Sequence, residues 1–128
     1  MNPQLQGKTY PETAFLVEPE RVATFRKLFG QRNGVPPTFL AAAEFAVMPM
    51  VIDDPELGLD FPRVLHGAQE YELERPVVEG ETLRVRARLE SIRVREPTSF
   101  LVIAMEVVDE AGEVVAMTRS TMVERSAT

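Results

Sequence analysis

The sequence has no cysteine and no tryptophan, and its single histidine is His66. The lack of cysteine excludes disulfides, a thiol nucleophile and a thiolate-bound metal, and one imidazole excludes a histidine-rich metal site within one chain. Basic residues are few, 14 against 20 acidic ones, so the net charge is −6. This balance argues against nucleic acid and anionic membranes as partners, and we expect no metal and no cofactor.

Long apolar runs are also missing. The longest, residues 39–52, is interrupted by Glu44 and Pro49 and is too short to span a bilayer. The first nine residues lack the apolar core of a signal peptide, so we expect a cytoplasmic protein. A chain of 128 residues with 45% hydrophobic and 27% charged residues is typical of one folded domain, residues 1–128.

Two helices are predicted in the first half of the chain. Glu18 and Pro19 are typical of a helix start, apolar residues follow at helical spacing, and Gly30 is placed to cap the end. The second helix is predicted from Thr38 to Met48, where Pro49 would end it. Because it is apolar on all sides, we expect other structure to enclose it completely.

From Val64 onward the apolar residues alternate, which predicts strands. The first strand places Leu65, Tyr71 and Leu73 on one face, and Glu70, Glu72 and Glu74 on the other. The next strand carries Arg84, Arg86 and Arg88 on its polar face. A hairpin would set the acidic triplet against the basic one, so we interpret both charge runs as cross-strand ion pairs rather than as a binding surface. The alternation slips near Ser91, which predicts a β-bulge.

The strand over residues 99–108 is apolar on both faces, and the turn at residues 109–112 leads to a last strand over residues 113–124. One helix can cover only one face of that sheet, so we expect a second copy or a partner subunit on the other. The predicted fold class is α+β, a curved antiparallel sheet wrapped around a central apolar helix, which is the hot-dog fold. An ordinary α+β sheet on one amphipathic helix is the alternative.

Several segments, in this order along nearly the whole chain, resemble the N-terminal domain of the MaoC-like dehydratases, also called fatty-acid-synthase-type dehydratase domains. They are residues 7–8, 17–21, 36–39, 64–67, 70–71 and 75–83. The resemblance implies a hot-dog fold and a substrate that is a thioester of CoA or acyl carrier protein. The implied reaction is hydration of a trans-2-enoyl chain, or dehydration of the (R)-3-hydroxyacyl form, by a dimer or by paired hot-dog halves.

Active members of that family carry an Asp and a His in a D-x-N-P-x-H loop before the enclosed helix. Such a pair suits hydration because one group activates water while the other delivers a proton. Residues 30–35 of this chain contain neither, and only Asn33 corresponds to the motif's Asn. The resemblance therefore implies the non-catalytic half of a dehydratase, which acts as a homodimer or with a separate catalytic hot-dog subunit.

Two titratable residues are the candidate catalytic groups. His66 is either a general base or thioester contact, or a histidine hydrogen-bonded at a strand end on the face of Glu70 and Glu72. Glu44 is the only charged residue between Arg32 and Asp53. It is either a thioesterase carboxylate that attacks the acyl carbonyl or activates water, or a carboxylate at the helix surface paired with an arginine.

The remaining candidates are substrate-binding positions: Asn33, Pro37, Thr38 and Phe39 at the start of the helix, and Gly67 beside His66. Free backbone N–H groups at a helix start polarise a thioester carbonyl if a ligand approaches, and otherwise form an ordinary cap. Three functions stay open: a non-catalytic acyl-binding half, a hot-dog thioesterase that uses Glu44, and a dimeric scaffold with a vestigial pocket.

Overall fold

In the computed structural model, which describes residues 1–127, one short strand and two α-helices precede four long strands. The helices are α1 (Pro19–Phe29) and α2 (Leu40–Ile52), and a single 3-10 turn, Pro37–Phe39, leads into α2. The strands are β1 (Thr13–Leu16), β2 (Val64–Leu73), β3 (Thr82–Arg93), β4 (Thr98–Val108) and β5 (Val114–Arg125).

The ends of the helices follow from local chemistry, with one departure from prediction. Helix α1 ends at Gly30, whose φ of 69° is the left-handed conformation that glycine adopts without strain. The prediction that Pro49 ends α2 is wrong, because the helix continues to Ile52. Proline removes the hydrogen bond to the carbonyl of Phe45 and its ring crowds that carbonyl, and Phe45 lies on the exposed side of the helix.

All five strands form one antiparallel sheet in the order β1-β3-β4-β5-β2. The predicted hairpin between the acidic and basic strands is therefore wrong, since β2 pairs with β5 at the opposite edge from β1. The chain between β2 and β3 passes the turn between β4 and β5, where Arg75 lies 3.3 Å from Asp109, instead of turning tightly. The sheet wraps around α2, which confirms the predicted α+β hot-dog arrangement.

The charged triplets lie on the convex face of the sheet as expected, but their partners differ. Arg86 pairs with Glu106 on the neighbouring strand at 3.1 Å, and Arg88 pairs with Glu90 at 3.3 Å. Glu72 lies 3.9 Å from Arg119 on β5. The outer face of β4 is partly covered from within the chain, because Ala104 between these side chains is only 2% exposed.

Two irregularities interrupt the register of the sheet. The predicted bulge near Ser91 is confirmed, between Leu89 and Ser91. A second, between His66 and Ala68, was not predicted. At Gly67 a Cβ atom would lie 2.9 Å from Cγ2 of Val123, so only glycine fits this close approach.

The core lies between α2 and the concave face of the sheet, and contains fully buried leucine, isoleucine and valine side chains from β3, β4 and α2. Each such side chain contributes about 1.5–3 kcal/mol through its burial. The chain itself encloses α2 only in part, because Phe45 on this helix is 71% exposed, so the expected enclosure on every side needs cover from outside the chain. Among residues 1–127, no helix is long and apolar enough to cross a membrane.

Candidate functional site

A cleft of about 480 Å³ lies between the open side of α2 and the edge strand β2. Most of its wall is apolar, and its polar residues come from α2, β2 and β5. The lining residues are Ala41, Glu44, Phe45, Met48, Pro49, Ile52, Phe61, Val64, His66, Gln69, Tyr71, Ser120 and Met122. The cleft is thus an apolar groove with a small polar region.

Helical and strand periodicity explain why these residues meet. On α2, positions 41, 44, 45, 48 and 52 share one side of the helix. On β5, Ser120 and Met122 are two residues apart and point to the same concave face. On β2, the bulge at Gly67 shifts the alternation, so His66 and Gln69 face the same way although they are three residues apart.

Glu44 is the centre of the polar region and is only 4% exposed. Its carboxylate accepts hydrogen bonds from three side chains. Gln69 Nε2 donates at 3.0 and 3.1 Å, Thr118 Oγ1 at 3.1 Å and Ser120 Oγ at 2.9 Å. Ser120 Oγ is also 2.6 Å from Oε1 of Gln69, and because the hydroxyl has one proton, it donates either to this amide oxygen or to Glu44.

The prediction that Glu44 pairs with an arginine is wrong, because the ion pairs among residues 1–127 do not include this carboxylate. Neutral donors satisfy it instead, which is one of the ways in which a buried carboxylate is tolerated. Burial, together with the charge and hydrogen bonding of Glu44, raises the pKa of the nearby Tyr71 hydroxyl. Tyr71 therefore stays protonated at the cleft wall and is available as a donor.

His66 lines the same cleft but is exposed, and it belongs to the edge strand. The expectation that it shares a face with Glu70 and Glu72 is wrong. The bulge at Gly67 turns His66 to the concave side, while those two glutamates stay on the convex side. The fold thus brings the two candidate catalytic residues, His66 and Glu44, to one cleft.

The other predicted site residues lie elsewhere. Asn33 is in the exposed loop beyond α1, and Pro37 and Thr38 are exposed in the 3-10 turn. Phe39 is 3% exposed and packs with Phe15 and Phe25, at ring-centroid distances of 6.1 and 5.5 Å. None of these, nor Gly67, lines the cleft in the described part of the chain, although Gly67 positions His66.

Gln69, Thr118 and Ser120 were not among the predicted site residues. The signal for the last two is present in β5, where Ala116, Thr118, Ser120 and Met122 alternate toward the core. Two hydroxyls in the middle of a core-facing row require buried hydrogen-bond partners, and Glu44 is the buried acceptor closest to them.

Comparisons with known proteins agree with this fold. A family model described as "FAS1-like, dehydratase domain region" matches residues 7–118. A UPF0336 protein of Streptomyces coelicolor is 34% identical, over 99% of this chain and 97% of its own length.

Solved structures share the architecture at low identity. One is the HadBC (3R-hydroxyacyl-ACP dehydratase) complex of Mycobacterium tuberculosis, with a TM-score of 0.80, 18% identity and coverage of 93% of this chain and 96% of that one. Another, a MaoC-like dehydratase, has a TM-score of 0.83 and 22% identity, and covers 96% of this chain and 43% of that one. These likenesses show the hot-dog fold. The matched family model and the UPF0336 relative show the family: the chain belongs to the FAS1-like dehydratase domain family and to the UPF0336 proteins.

Proposed function

We propose that this chain binds the acyl part of CoA or acyl-carrier-protein thioesters in the cleft, as the non-catalytic subunit of a cytoplasmic 3-hydroxyacyl dehydratase or enoyl hydratase. The observation that carries the proposal is the cleft itself, about 480 Å³ of mostly apolar wall along the open side of α2. A groove of this size and polarity suits an acyl chain. The thioester is the substrate, and the proposal involves no cofactor or metal.

The state of Glu44 supports binding rather than catalysis. A general base or nucleophile needs a lone pair directed at the substrate. Here both carboxylate oxygens accept hydrogen bonds from Gln69, and one also accepts from Thr118 and Ser120. Together with the missing Asp and His in residues 30–35, this favours a pocket that holds the chain while another subunit supplies the acid and base.

The partner would pair with β2. This strand is ten residues long and forms the edge of the sheet, so its outer backbone groups are open to another strand. Exposed apolar side chains flank it, with Leu65 62% and Phe45 71% exposed. A second hot-dog subunit at this edge would extend the sheet and cover both side chains, and it would also close the cleft.

Charge favours a different subunit over a second copy. Glu70 and Glu72 lie on the convex face of β2, so two copies paired edge to edge would bring acidic rows together. A partner strand with basic residues would complement them. The HadBC protein, a complex of related fold, is consistent with such pairing.

The test is a panel of trans-2-enoyl-CoAs added to the purified chain, with enoyl absorbance and thiol release followed in parallel and acyl-CoA binding measured by calorimetry. We expect binding without either reaction. Ala41→Trp, which fills the cleft, should abolish binding. The matched control Ala46→Trp, on the exposed side of α2 outside the cleft lining, should not.

Two outcomes would contradict the proposal. Hydration by the chain alone would make His66 and Glu44 an acid–base pair. Thiol release that Glu44→Gln abolishes would establish the thioesterase. The mass in solution tests the partner: we expect a species near 14.3 kDa, and a homodimer would overturn the charge argument.

A further inference from the structure

Most polar residues of the cleft are gathered at one end, near the start of α2. They are Glu44, Gln69, Tyr71 and Ser120. Farther along the helix and back along β2 the wall is apolar apart from His66, and consists of Met48, Pro49, Ile52, Phe61, Val64 and Met122. A plain hydrocarbon chain needs only the apolar part, so the polar end requires an explanation of its own.

The hydrogen bonds at the polar end share one proton between two acceptors. Ser120 Oγ lies 2.9 Å from Oε2 of Glu44 and 2.6 Å from Oε1 of Gln69. The Gln69 amide keeps this orientation because both carboxylate oxygens accept from its Nε2, and a reversed amide would set its oxygen against them. Whichever acceptor takes the Ser120 proton, the other faces the lone pairs of the hydroxyl. Among the described residues, these two acceptors are therefore one donor short.

A bound alkyl chain would make this shortage costly. It would exclude water from the wall and bring no hydrogen bond, so an acceptor would be left desolvated and without a proton. A hydroxyl on the chain would supply the missing proton. Its oxygen could in turn accept from Tyr71. Burial, followed by the charge of Glu44, raises the pKa of the Tyr71 hydroxyl, so this group keeps its proton.

We propose that the cleft selects acyl chains with a hydroxyl group beyond C3, and that Glu44 and Gln69 accept its proton. The position follows from the proposed function, on which this inference rests. If the partner subunit supplies the acid and base, C2 and C3 lie at its residues, and this cleft holds the carbons that follow. The selected hydroxyl is thus on a carbon that does not react. A keto group at the same carbon has no proton and would meet the acceptors with lone pairs.

The probes are decanoyl-CoA and its derivatives with a single hydroxyl, either at C3 or at one of the carbons from C5 to C9. Calorimetry on the purified chain measures their affinities. We expect at least one hydroxyl beyond C3 to raise the affinity roughly ten-fold over decanoyl-CoA, as a hydrogen bond to a charged or desolvated acceptor does. The keto derivative at that carbon should bind no more tightly than decanoyl-CoA.

Three variants locate the preference, which is the ratio of the hydroxylated to the plain affinity within each variant. Glu44→Gln replaces an acceptor oxygen with an NH2 donor, so the ratio should fall below about two. Ser120→Ala removes the proton that both acceptors share, so the ratio should rise above that of the wild type. The matched control Met48→Leu changes the apolar wall of the same cleft and should leave the ratio within about two-fold of the wild-type value.

The wild type separates this inference from the function on which it rests. Equal affinities for plain and hydroxylated chains would disprove the selection and leave the acyl cleft standing, whereas binding of none of the probes would disprove both. Three further results would overturn the selection alone. The largest gain at C3 would place the reacting carbon at Glu44, a tighter keto derivative would mean that donors recognise the chain, and an unchanged ratio in Glu44→Gln would place the hydroxyl elsewhere.

Discussion

The two sides of helix α2 differ in what covers them. On the core side, Leu40 is 1% exposed and Ala43, Val47 and Val51 are fully buried. On the cleft side, Phe45 is 71% exposed, and Ala41 and Ile52 are half-buried. The composition of the two sides is similarly apolar, so hydrophobicity alone does not explain the difference.

The chain therefore covers only one side of the helix, and the other side is left for a ligand or a partner subunit. The sheet supplies close-packed neighbours on the core side, and those contacts stabilise the fold. On the cleft side the chain leaves apolar surface open and places a satisfied carboxylate within it. Stability should therefore depend on the core side, and binding on the cleft side.

The largest loss of stability is expected for a substitution on the core side of α2. Leu40→Ala removes a side chain that is 1% exposed, and should lower the free energy of unfolding by about 3 kcal/mol. Urea denaturation followed by circular dichroism measures it. Ala46→Ser on the exposed side of α2 is the control and should stay within about 0.5 kcal/mol of wild type. Equal losses in both variants would disprove the division.

A smaller loss is expected where the two sides meet, at Glu44. Glu44→Ala removes the acceptor of Gln69, Thr118 and Ser120 and should cost about 2 kcal/mol, because buried donors lose their partner. Glu44→Gln keeps the shape and one carbonyl acceptor, so it should cost less in the same denaturation experiment. A gain in stability for Glu44→Ala would show instead that the carboxylate is held at the expense of the fold.

Asp54, in the loop after α2, should make a smaller contribution to stability, and this contribution should depend on pH. Asp54 accepts hydrogen bonds from Lys8 and Tyr10, both at 2.7 Å, which fasten the end of the helix to the N-terminal segment. The bond from Lys8, followed by that from Tyr10, lowers the pKa of Asp54 from 3.8 to about 2. A lowered pKa in the folded state stabilises the protein above the unfolded pKa, and this contribution is lost as pH falls toward the folded pKa.

The variant Asp54→Asn should therefore be less stable than wild type near neutral pH, by less than Glu44→Ala. The difference between the two proteins should shrink as pH falls from about 4 to about 2. Comparing them at each pH cancels the titration of all other carboxylates. A difference that stays constant over this range would mean that the ionised carboxylate contributes nothing.

Much of the fold was predictable because its signals are local. The alternation of β3, the bulge near Ser91 and the cap at Gly30 depend on neighbouring residues alone. Strand pairing is not local. Nothing in the charges of β2 distinguishes a hairpin with β3 from an edge position beside β5, because Arg119 on β5 complements Glu72 as the predicted arginines would.

The site was less predictable than the fold for a related reason. Glu44 was conspicuous as a charge in an apolar helix, but its partners Gln69 and Ser120 are separated from it by 25 and 76 positions. The face of His66 depends on the bulge at Gly67, where the side chain of Val123 on β5 leaves room only for glycine. A glycine within a strand pattern is a known signal for such a bulge, and it was the one available here.

The smallest effect on stability, and the sharpest test of the comparison, is expected for Phe45→Ala on the cleft side. Because Phe45 is 71% exposed, its truncation should change the free energy of unfolding by less than about 0.5 kcal/mol. The same change removes part of the cleft wall, so the affinity for a decanoyl thioester should fall by roughly three- to ten-fold. Calorimetry and urea denaturation on one preparation measure both quantities. Because the side chain has few contacts within its own chain, a large loss of stability would mean that the open side of α2 supports the fold. Unchanged affinity would mean that the acyl chain lies elsewhere.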